Sequence, residues 1–133
     1  MIDKITLFIP YFESKSVIRQ QEFIYCLRKN IQIESVVDIY LLIDDGKDPE
    51  VVDDKIKIIN IDHRPTYRDW INYTDQLITS GISVLLNTDI YFEDSIVKIH
   101  EIFKQDPYGF VALSRYELSK DDLSLHTQPK WSQ

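Results

Sequence analysis

The chain has 133 residues, of which 44% are hydrophobic and 28% are charged, and this composition is typical of one globular domain rather than a disordered segment. Its formal net charge of −7 argues against nucleic acid as the main partner, because an acidic surface repels phosphate backbones. The single cysteine, Cys26, excludes an internal disulfide and a cysteine-based zinc site. No apolar stretch approaches the roughly 20 residues of a membrane span, and the first ten residues lack the features of a signal peptide. We therefore expect a cytoplasmic protein with no membrane span.

The first half of the chain alternates between strand-like and helix-like segments. The apolar run ITLFIP (5–10) predicts a buried strand that ends near a proline. Apolar residues at helical spacing then predict a helix, with Ser14 or Ser16 as its N-cap. These apolar residues are Phe23, Ile24, Leu27 and Ile31. VVDIYLLID (36–44) and IKIINI (56–61) predict a second and a third strand.

The second half continues the same alternation. A helix is predicted before the fourth strand, SVLLN (83–87), and Gly81 stands where the C-terminal cap of this helix belongs. Its apolar face is predicted to consist of Tyr67, Trp70, Ile71, Leu77 and Ile78. A third helix is predicted to begin at Glu93 or Asp94, and a fifth strand at GFVALSRY (109–116). The inward residues of this third helix are predicted to be Ile96, Ile99 and Phe103.

Near-continuous apolar strands separated by helices predict an α/β fold, in which helices flank both faces of a mainly parallel sheet. No repeat or linker divides the chain, so residues 1–133 are expected to form one domain. In open sheets of this kind ligands bind beyond the carboxyl ends of the strands. The segments at these ends are Pro10-Tyr11-Phe12, Asp44-Asp45-Gly46, Asp62-His63-Arg64 and Asn87-Thr88-Asp89.

Several chemistries are excluded by what the sequence lacks. It has three glycines and neither a glycine-rich nucleotide-binding turn nor a P-loop lysine motif. No serine lies in a nucleophile elbow, and the three histidines lack the spacing of a metal pair. Carboxylates at strand ends remain, and such groups bind Mg²⁺ or Mn²⁺ together with substrate phosphates. Asp89 is the candidate metal ligand. The alternative is a turn or a helix cap, although Asp89 lies too far before the predicted helix to cap it.

Three segments, ITLFIPYF, IYLLIDDG and LLNTDIYFEDSI, resemble in their order the GT-A-type glycosyltransferases, whose fold is Rossmann-like. More narrowly, RPTYRDWINYTD, LLNTDIYFEDSI, VALSRYEL and the final SQ resemble a bacterial and viral family of small glycosyltransferase-like proteins, over nearly the whole chain. The resemblance implies a nucleotide-diphosphate sugar as donor, transfer of the sugar to an unknown acceptor, and Mn²⁺ or Mg²⁺ as cofactor.

The resemblance also implies roles for the residues at the strand ends. Tyr11 or Phe12 would lie against the base, and Asp44 or Asp45 would accept a hydrogen bond from the base or the ribose. The remaining implied binding residues are Pro10, the diphosphate partners Arg64 and Arg68, and Asn87, Thr88 and Asp89 at the place of the family's Asp-x-Asp metal motif. In this chain Asn87 replaces the first acid of that motif. The alternatives are core packing for the aromatic pair, a plain turn for the two aspartates and a surface charge for Arg64.

The family's members continue past the Ser-Gln at 132–133 into an Asp-x-Trp segment, and the resemblance places acceptor-binding and catalytic residues in that second half. We therefore expect a nucleotide-sugar-binding half whose catalytic residues are not assigned. Apolar surface beside the last strand, around Phe110, Val111 and Leu113, is expected to be covered by a second copy in a homo-oligomer. The rival hypothesis is a non-catalytic binding or assembly module that keeps the fold.

Overall fold

The computed structural model describes residues 4–93, 96 and 98–105. The described elements, in chain order, are β1 (Ile5–Tyr11), α1 (Val17–Ile31), β2 (Val36–Ile43), β3 (Ile56–Asn60), α2 (Tyr67–Leu77), β4 (Ile82–Leu85) and α3 (Ile99–Gln105). The chain divides into two compact units, Met1–Glu101 and Ile102–Gln133, and the sheet belongs to the first. The predicted strand at 109–116, which includes Phe110, Val111 and Leu113, lies outside the described residues.

The four described strands form one sheet in the order β3-β2-β1-β4, and all three strand pairs are parallel. This arrangement confirms the predicted α/β fold with a Rossmann-like parallel sheet. The strand that follows β1 in sequence lies on one side of it, whereas β4 lies on the other side. The order of the strands therefore reverses at β1, and the carboxyl ends of β1 and β4 border the point of reversal.

The helices α1 and α2 cover opposite faces of the sheet. Tyr11 of β1 faces α1, because its hydroxyl accepts a hydrogen bond from Gln20 Nε2 at 3.0 Å. Ser83 of β4 faces α2, because Trp70 Nε1 donates to its hydroxyl at 2.8 Å. Ser83 is in register with Thr6 of β1, which lies an odd number of residues from Tyr11 and so points to the other face. Two-sided coverage explains why the central strands are apolar almost without interruption.

Helix α1 is fixed at both ends by side chains. The hydroxyl of Ser16 accepts a hydrogen bond from the Arg19 N–H, which confirms Ser16 as the N-cap. At the other end Lys55 Nζ donates to the carbonyls of Ile31, at 2.7 Å, and Ile33, at 2.9 Å. A cation at this end also complements the partial negative charge of the helix C-terminus. The buried residues of α1 are Phe23, Cys26, Leu27 and Asn30.

Helix α2 is well capped but poorly buried. Thr66 and Asp69 form a capping box, in which each side chain accepts a hydrogen bond from the backbone of the other. The predicted apolar face is wrong in part, because Tyr67, Ile71 and Leu77 are 75%, 45% and 42% exposed. The physical reason is the small area of sheet available to α2. The helix forms a side-chain hydrogen bond with β4, which has four residues and lies at the edge of the described sheet.

The turn between α2 and β4 also differs from the prediction. The C-cap of α2 is Ile78, whose N–H donates to the Thr74 carbonyl, so Gly81 is not the cap. Gly81 instead has a φ of +94°, and a Cβ placed on it would lie 2.5 Å from the Lys4 carbonyl oxygen. Glycine is required here because β4 begins in close contact with the start of β1. Among the helices of the described chain, none is long and apolar enough to cross a membrane.

Candidate functional site

The candidate site lies where the strand order reverses, at the carboxyl ends of β1 and β4. In open parallel sheets this crevice is the usual position for a ligand, since the loops on its two sides leave in opposite directions. A hydrogen bond closes the base of the crevice: Thr88 Oγ1 donates to the Pro10 carbonyl at 2.7 Å. The structure therefore uses the Thr88 hydroxyl and the Pro10 backbone to join the two strand ends.

The two candidate aromatic residues at the end of β1 have different surroundings. Tyr11 is 3% exposed, and its ring packs edge-on against Phe23 of α1 at 6.4 Å between centroids. Burial raises the pKa of the Tyr11 hydroxyl, which stays protonated at neutral pH. Phe12 is 44% exposed, and its ring stands 5.1 Å from Phe23 at 71°. Of the two, Phe12 has a ring surface on which a base can stack.

The two candidate aspartates after β2, Asp44 and Asp45, differ in their hydrogen bonds. Asp45 Oδ2 accepts a hydrogen bond from the Glu13 N–H at 3.0 Å, and Oδ1 accepts one from the Lys47 N–H at 3.0 Å. Although desolvation opposes it, this bonding by backbone N–H groups holds the pKa of Asp45 below its ordinary value. Asp45 therefore tethers the end of β1 to the turn after β2. The Asp44 side chain is exposed and makes no hydrogen bond within the described residues, so Asp44 is the better placed to receive a ligand.

The segment after β3 is organised around His63. Its Nδ1 lies 2.8 Å from Asp62 Oδ1, and its Nε2 lies 2.8 Å from Asp69 Oδ2 in the first turn of α2. The hydrogen bonds with Asp62 and Asp69 raise the pKa of His63. A carboxylate at each ring nitrogen favours the doubly protonated imidazolium, which donates to both. The candidate residues Arg64 and Arg68 flank this arrangement, with their side chains exposed.

Asp89 pairs with a residue that the sequence did not single out. Its Oδ2 lies 3.3 Å from Arg19 Nη2, and the two side chains are 28% and 51% exposed respectively. Arg19 belongs to the first turn of α1, so this pair connects the end of β4 to the helix that follows β1. The guanidinium also lies over the Phe23 ring, 5.3 Å from its centroid. Asn87 is exposed at the start of the same segment.

The residues that follow Asp89 pack against α1. The buried Asn30 side chain donates to the Ile90 carbonyl at 3.1 Å and accepts from the Phe92 N–H at 2.9 Å. The Tyr91 ring packs edge-on against Tyr25 at 5.7 Å. This explains the sequence NTDIYF, in which hydrophobic residues resume directly after the aspartate. Asn30 was detectable as a polar residue in phase with the inward face of α1, but its partners lie about 60 residues away.

The side chains at Asp89 do not fit a resident divalent ion. Among the described residues, no three His, Cys, Asp or Glu side chains come together as a possible metal site. Asp89 is the only acid of the Asn87-Thr88-Asp89 motif, and its carboxylate is already paired with the Arg19 cation. An ion there would have to displace Arg19 and take its remaining oxygen ligands from elsewhere.

Covalent catalysis by cysteine is also disfavoured, since burial raises the pKa of the Cys26 thiol to about 11 and keeps it protonated.

Comparison with protein-family models and with curated proteins finds no match to this chain.

Proposed function

We propose that this chain binds a nucleotide-diphosphate sugar in the crevice between β1 and β4 and transfers the sugar to an acceptor. The observation that carries the proposal is the strand order β3-β2-β1-β4, all parallel, which brings together the carboxyl ends that carry Asp44, Phe12 and Asn87. Adjacent strands lie roughly 4.8 Å apart, so three successive ends span the width of a nucleoside. The resemblance to GT-A-type glycosyltransferases supplies the chemical class.

The exposed side chains favour one orientation of the donor. The base would stack on Phe12, and the Asp44 carboxylate would accept a hydrogen bond from the base or the ribose at the neighbouring strand end. The diphosphate would then extend towards β4 and the Asn87-Thr88-Asp89 segment. A divalent ion, Mn²⁺ or Mg²⁺, would have to arrive with the phosphates as its main ligands, because the segment contributes Asp89 as its one carboxylate.

Calorimetric titration with a panel of nucleotide-diphosphate sugars that differ in base tests this proposal. Base stacking on an aromatic ring contributes about 1–3 kcal/mol, so Phe12→Ala is expected to weaken binding of the best ligand about 5- to 150-fold. Tyr67→Ala is the matched control, since Tyr67 is an exposed aromatic residue on α2. Equal affinities of Phe12→Ala and wild type would remove the base site from Phe12. No binding of any member of the panel would reject the proposal.

Assembly without catalysis is the second candidate function, and the exposed apolar residues of α2 favour it. Tyr67, Ile71 and Leu77 leave apolar surface on one helix, and surfaces of this kind are often covered by a partner. The partner that we propose is a second copy of the chain. Light scattering at tens of micromolar is expected to give a mass above 15.8 kDa; a clean monomer would reject self-association. Hydrolysis of a bound donor would separate the enzyme from the binding module.

A further inference from the structure

Arg19 is a cation beside the carboxyl end of β4, where it pairs with Asp89. Its guanidinium lies 5.3 Å from the Phe23 ring centroid, and the exposed Phe12 ring lies 5.1 Å from the same centroid. A single buried ring thus places the cation near the proposed base site. The Asp89 carboxylate holds the guanidinium from the β4 side of the crevice, with Nη2 and Oδ2 3.3 Å apart.

The position of Arg19 in α1 is unfavourable for the helix itself. It lies three residues after the Ser16 N-cap, and the first turn of α1 contains no acid. A cation near a helix N-terminus opposes the macrodipole, which typically costs about 0.3–1 kcal/mol at the surface. The ion pair with Glu22, at 3.5 Å between Nη1 and Oε2, offsets part of this cost. Stabilisation of α1 therefore does not explain an arginine at this position.

The guanidinium of Arg19 retains donors for a further anion. It carries five N–H groups, and its recorded contacts with carboxylates are one from Nη2 to Asp89 and one from Nη1 to Glu22. Both are longer than the 2.7–2.9 Å typical of charge-assisted hydrogen bonds. Half-exposed pairs of this kind contribute about 0–1 kcal/mol, so the guanidinium can adjust towards a phosphate at little cost.

We propose that Arg19 binds the diphosphate of the nucleotide donor, held in place by Asp89 and Phe23, and supplies there the positive charge that a divalent ion would otherwise provide. The inference builds on the proposed function and changes the role of Asp89 from a metal ligand to the residue that orients Arg19. It also changes the partner of the diphosphate. Arg64 follows β3, and β3 is three strand spacings, roughly 14 Å, from β4. The proposed base site lies between them, at the ends of β2 and β1, so a diphosphate that extends towards β4 points away from Arg64.

The test is a calorimetric titration of four nucleoside diphosphates (UDP, GDP, ADP and CDP) into the full chain, first with chelator and then with Mn²⁺. We expect the best nucleotide to bind the wild type in chelator, and Arg19→Gln to weaken it about tenfold or more, because charge-assisted bonds are lost. Arg28→Gln is the matched control, since Arg28 is exposed on the same helix roughly 13 Å away. It is expected to bind like the wild type. Circular dichroism checks the fold of each variant.

Two further variants give different predictions for an arginine site and a metal site. Asp89→Asn keeps an oxygen beside the Arg19 guanidinium but loses the charge that holds it, so it is expected to weaken nucleotide binding less than Arg19→Gln does, and by the same factor in chelator and in Mn²⁺. A metal site predicts that the same variant loses Mn²⁺-dependent binding. Arg19→Lys keeps the charge without the planar fork of donors, so it is expected to bind with an affinity between those of wild type and Arg19→Gln.

The outcomes that overturn the inference are distinct from failure of the proposed function. Binding of the wild type only with Mn²⁺, with Arg19→Gln as tight as the wild type or tighter, would reject the arginine site and leave nucleotide binding established. Equal losses in Arg19→Gln and Arg28→Gln would also reject it, since the effect would then be one of overall charge. No nucleotide binding by the wild type in either condition would reject both the inference and the proposed function.

Discussion

Substitution of Asn30 tests how the segment after β4 is held in place. The side chain is fully buried and makes two hydrogen bonds, one to the Ile90 carbonyl at 3.1 Å and one from the Phe92 N–H at 2.9 Å. Asn30→Ala leaves both backbone groups without these partners. Each buried group left unpaired costs about 1–3 kcal/mol, and partial access of water to the segment favours the lower half of that range. We expect a loss of about 2–4 kcal/mol in the free energy of unfolding.

Urea denaturation followed by circular dichroism measures this loss. Gln21→Ala is the matched control, because Gln21 is an exposed amide on the same helix and its truncation is expected to cost less than about 0.5 kcal/mol. A loss for Asn30→Ala as small as that of Gln21→Ala would refute the assignment of Asn30 as the residue that holds the segment.

Asn30→Asp sharpens the same test. The aspartate keeps an acceptor for the Phe92 N–H but turns a negative oxygen towards the Ile90 carbonyl, so the buried charge is expected to raise the pKa of the new carboxyl. A raised pKa in the folded state means that the variant loses stability as the pH rises above about 4. Its deficit relative to the wild type should therefore be larger at pH 7 than at pH 4. A deficit that does not change with pH would contradict this reading of the contact.

Three further predictions concern loops at the two edges of the sheet. The carboxylates beside His63 raise its pKa, so its contribution to stability should be complete below about pH 6.5 and disappear as the pH rises through the raised value. The difference in melting temperature between wild type and His63→Gln should therefore be larger at pH 6 than at pH 9, and an equal difference at the two pH values would contradict this. Asp45→Asn should lower the free energy of unfolding by about 0.5–1.5 kcal/mol, because one hydrogen bond with a backbone N–H is lost. Asp44→Asn should instead weaken nucleotide binding by about 1.5–3 kcal/mol and leave urea denaturation unchanged. Gly81→Ala should lower the free energy of unfolding by about 2 kcal/mol or more, because φ is positive and the new Cβ would lie 2.5 Å from a backbone oxygen. Gly46→Ala, which has a positive φ but open space around it, should lower it by about 1 kcal/mol. Equal melting temperatures of these two variants would show that the close contact at Gly81 relaxes freely.

The strands were predictable because their signal is local. The apolar runs at 5–10, 36–44 and 56–61 correspond to β1, β2 and β3 within one residue at each end. Strands covered on both faces are apolar at nearly every position, so each run can be read without knowledge of its neighbours. The same apolar runs predict the position of the crevice, because parallel strands bring their carboxyl ends to one edge of the sheet.

The apolar face of α2 and the partners of Asp89 could not be predicted in this way. Periodicity indicates which side of a helix is apolar, but the area of the surface beneath it decides how much of that side is buried. The pair between Arg19 and Asp89 joins residues that are 70 positions apart, and its formation depends on the path of the chain after β4. Local patterns carry no information on such a path. The aspartate was therefore recognised, but its cationic partner was not.

Amide chemical-shift mapping by NMR, during titration with the best nucleotide-diphosphate sugar, tests most directly whether the crevice binds the donor. We expect the largest shifts at the carboxyl ends of three adjacent strands, at residues 11–13, 44–46 and 87–89. The loops at the opposite edge of the sheet, at residues 32–35 and 79–81, should stay unchanged and serve as an internal control. Saturable shifts centred on those opposite loops, or no shifts at millimolar ligand, would contradict the assignment of the crevice as a nucleotide-sugar site.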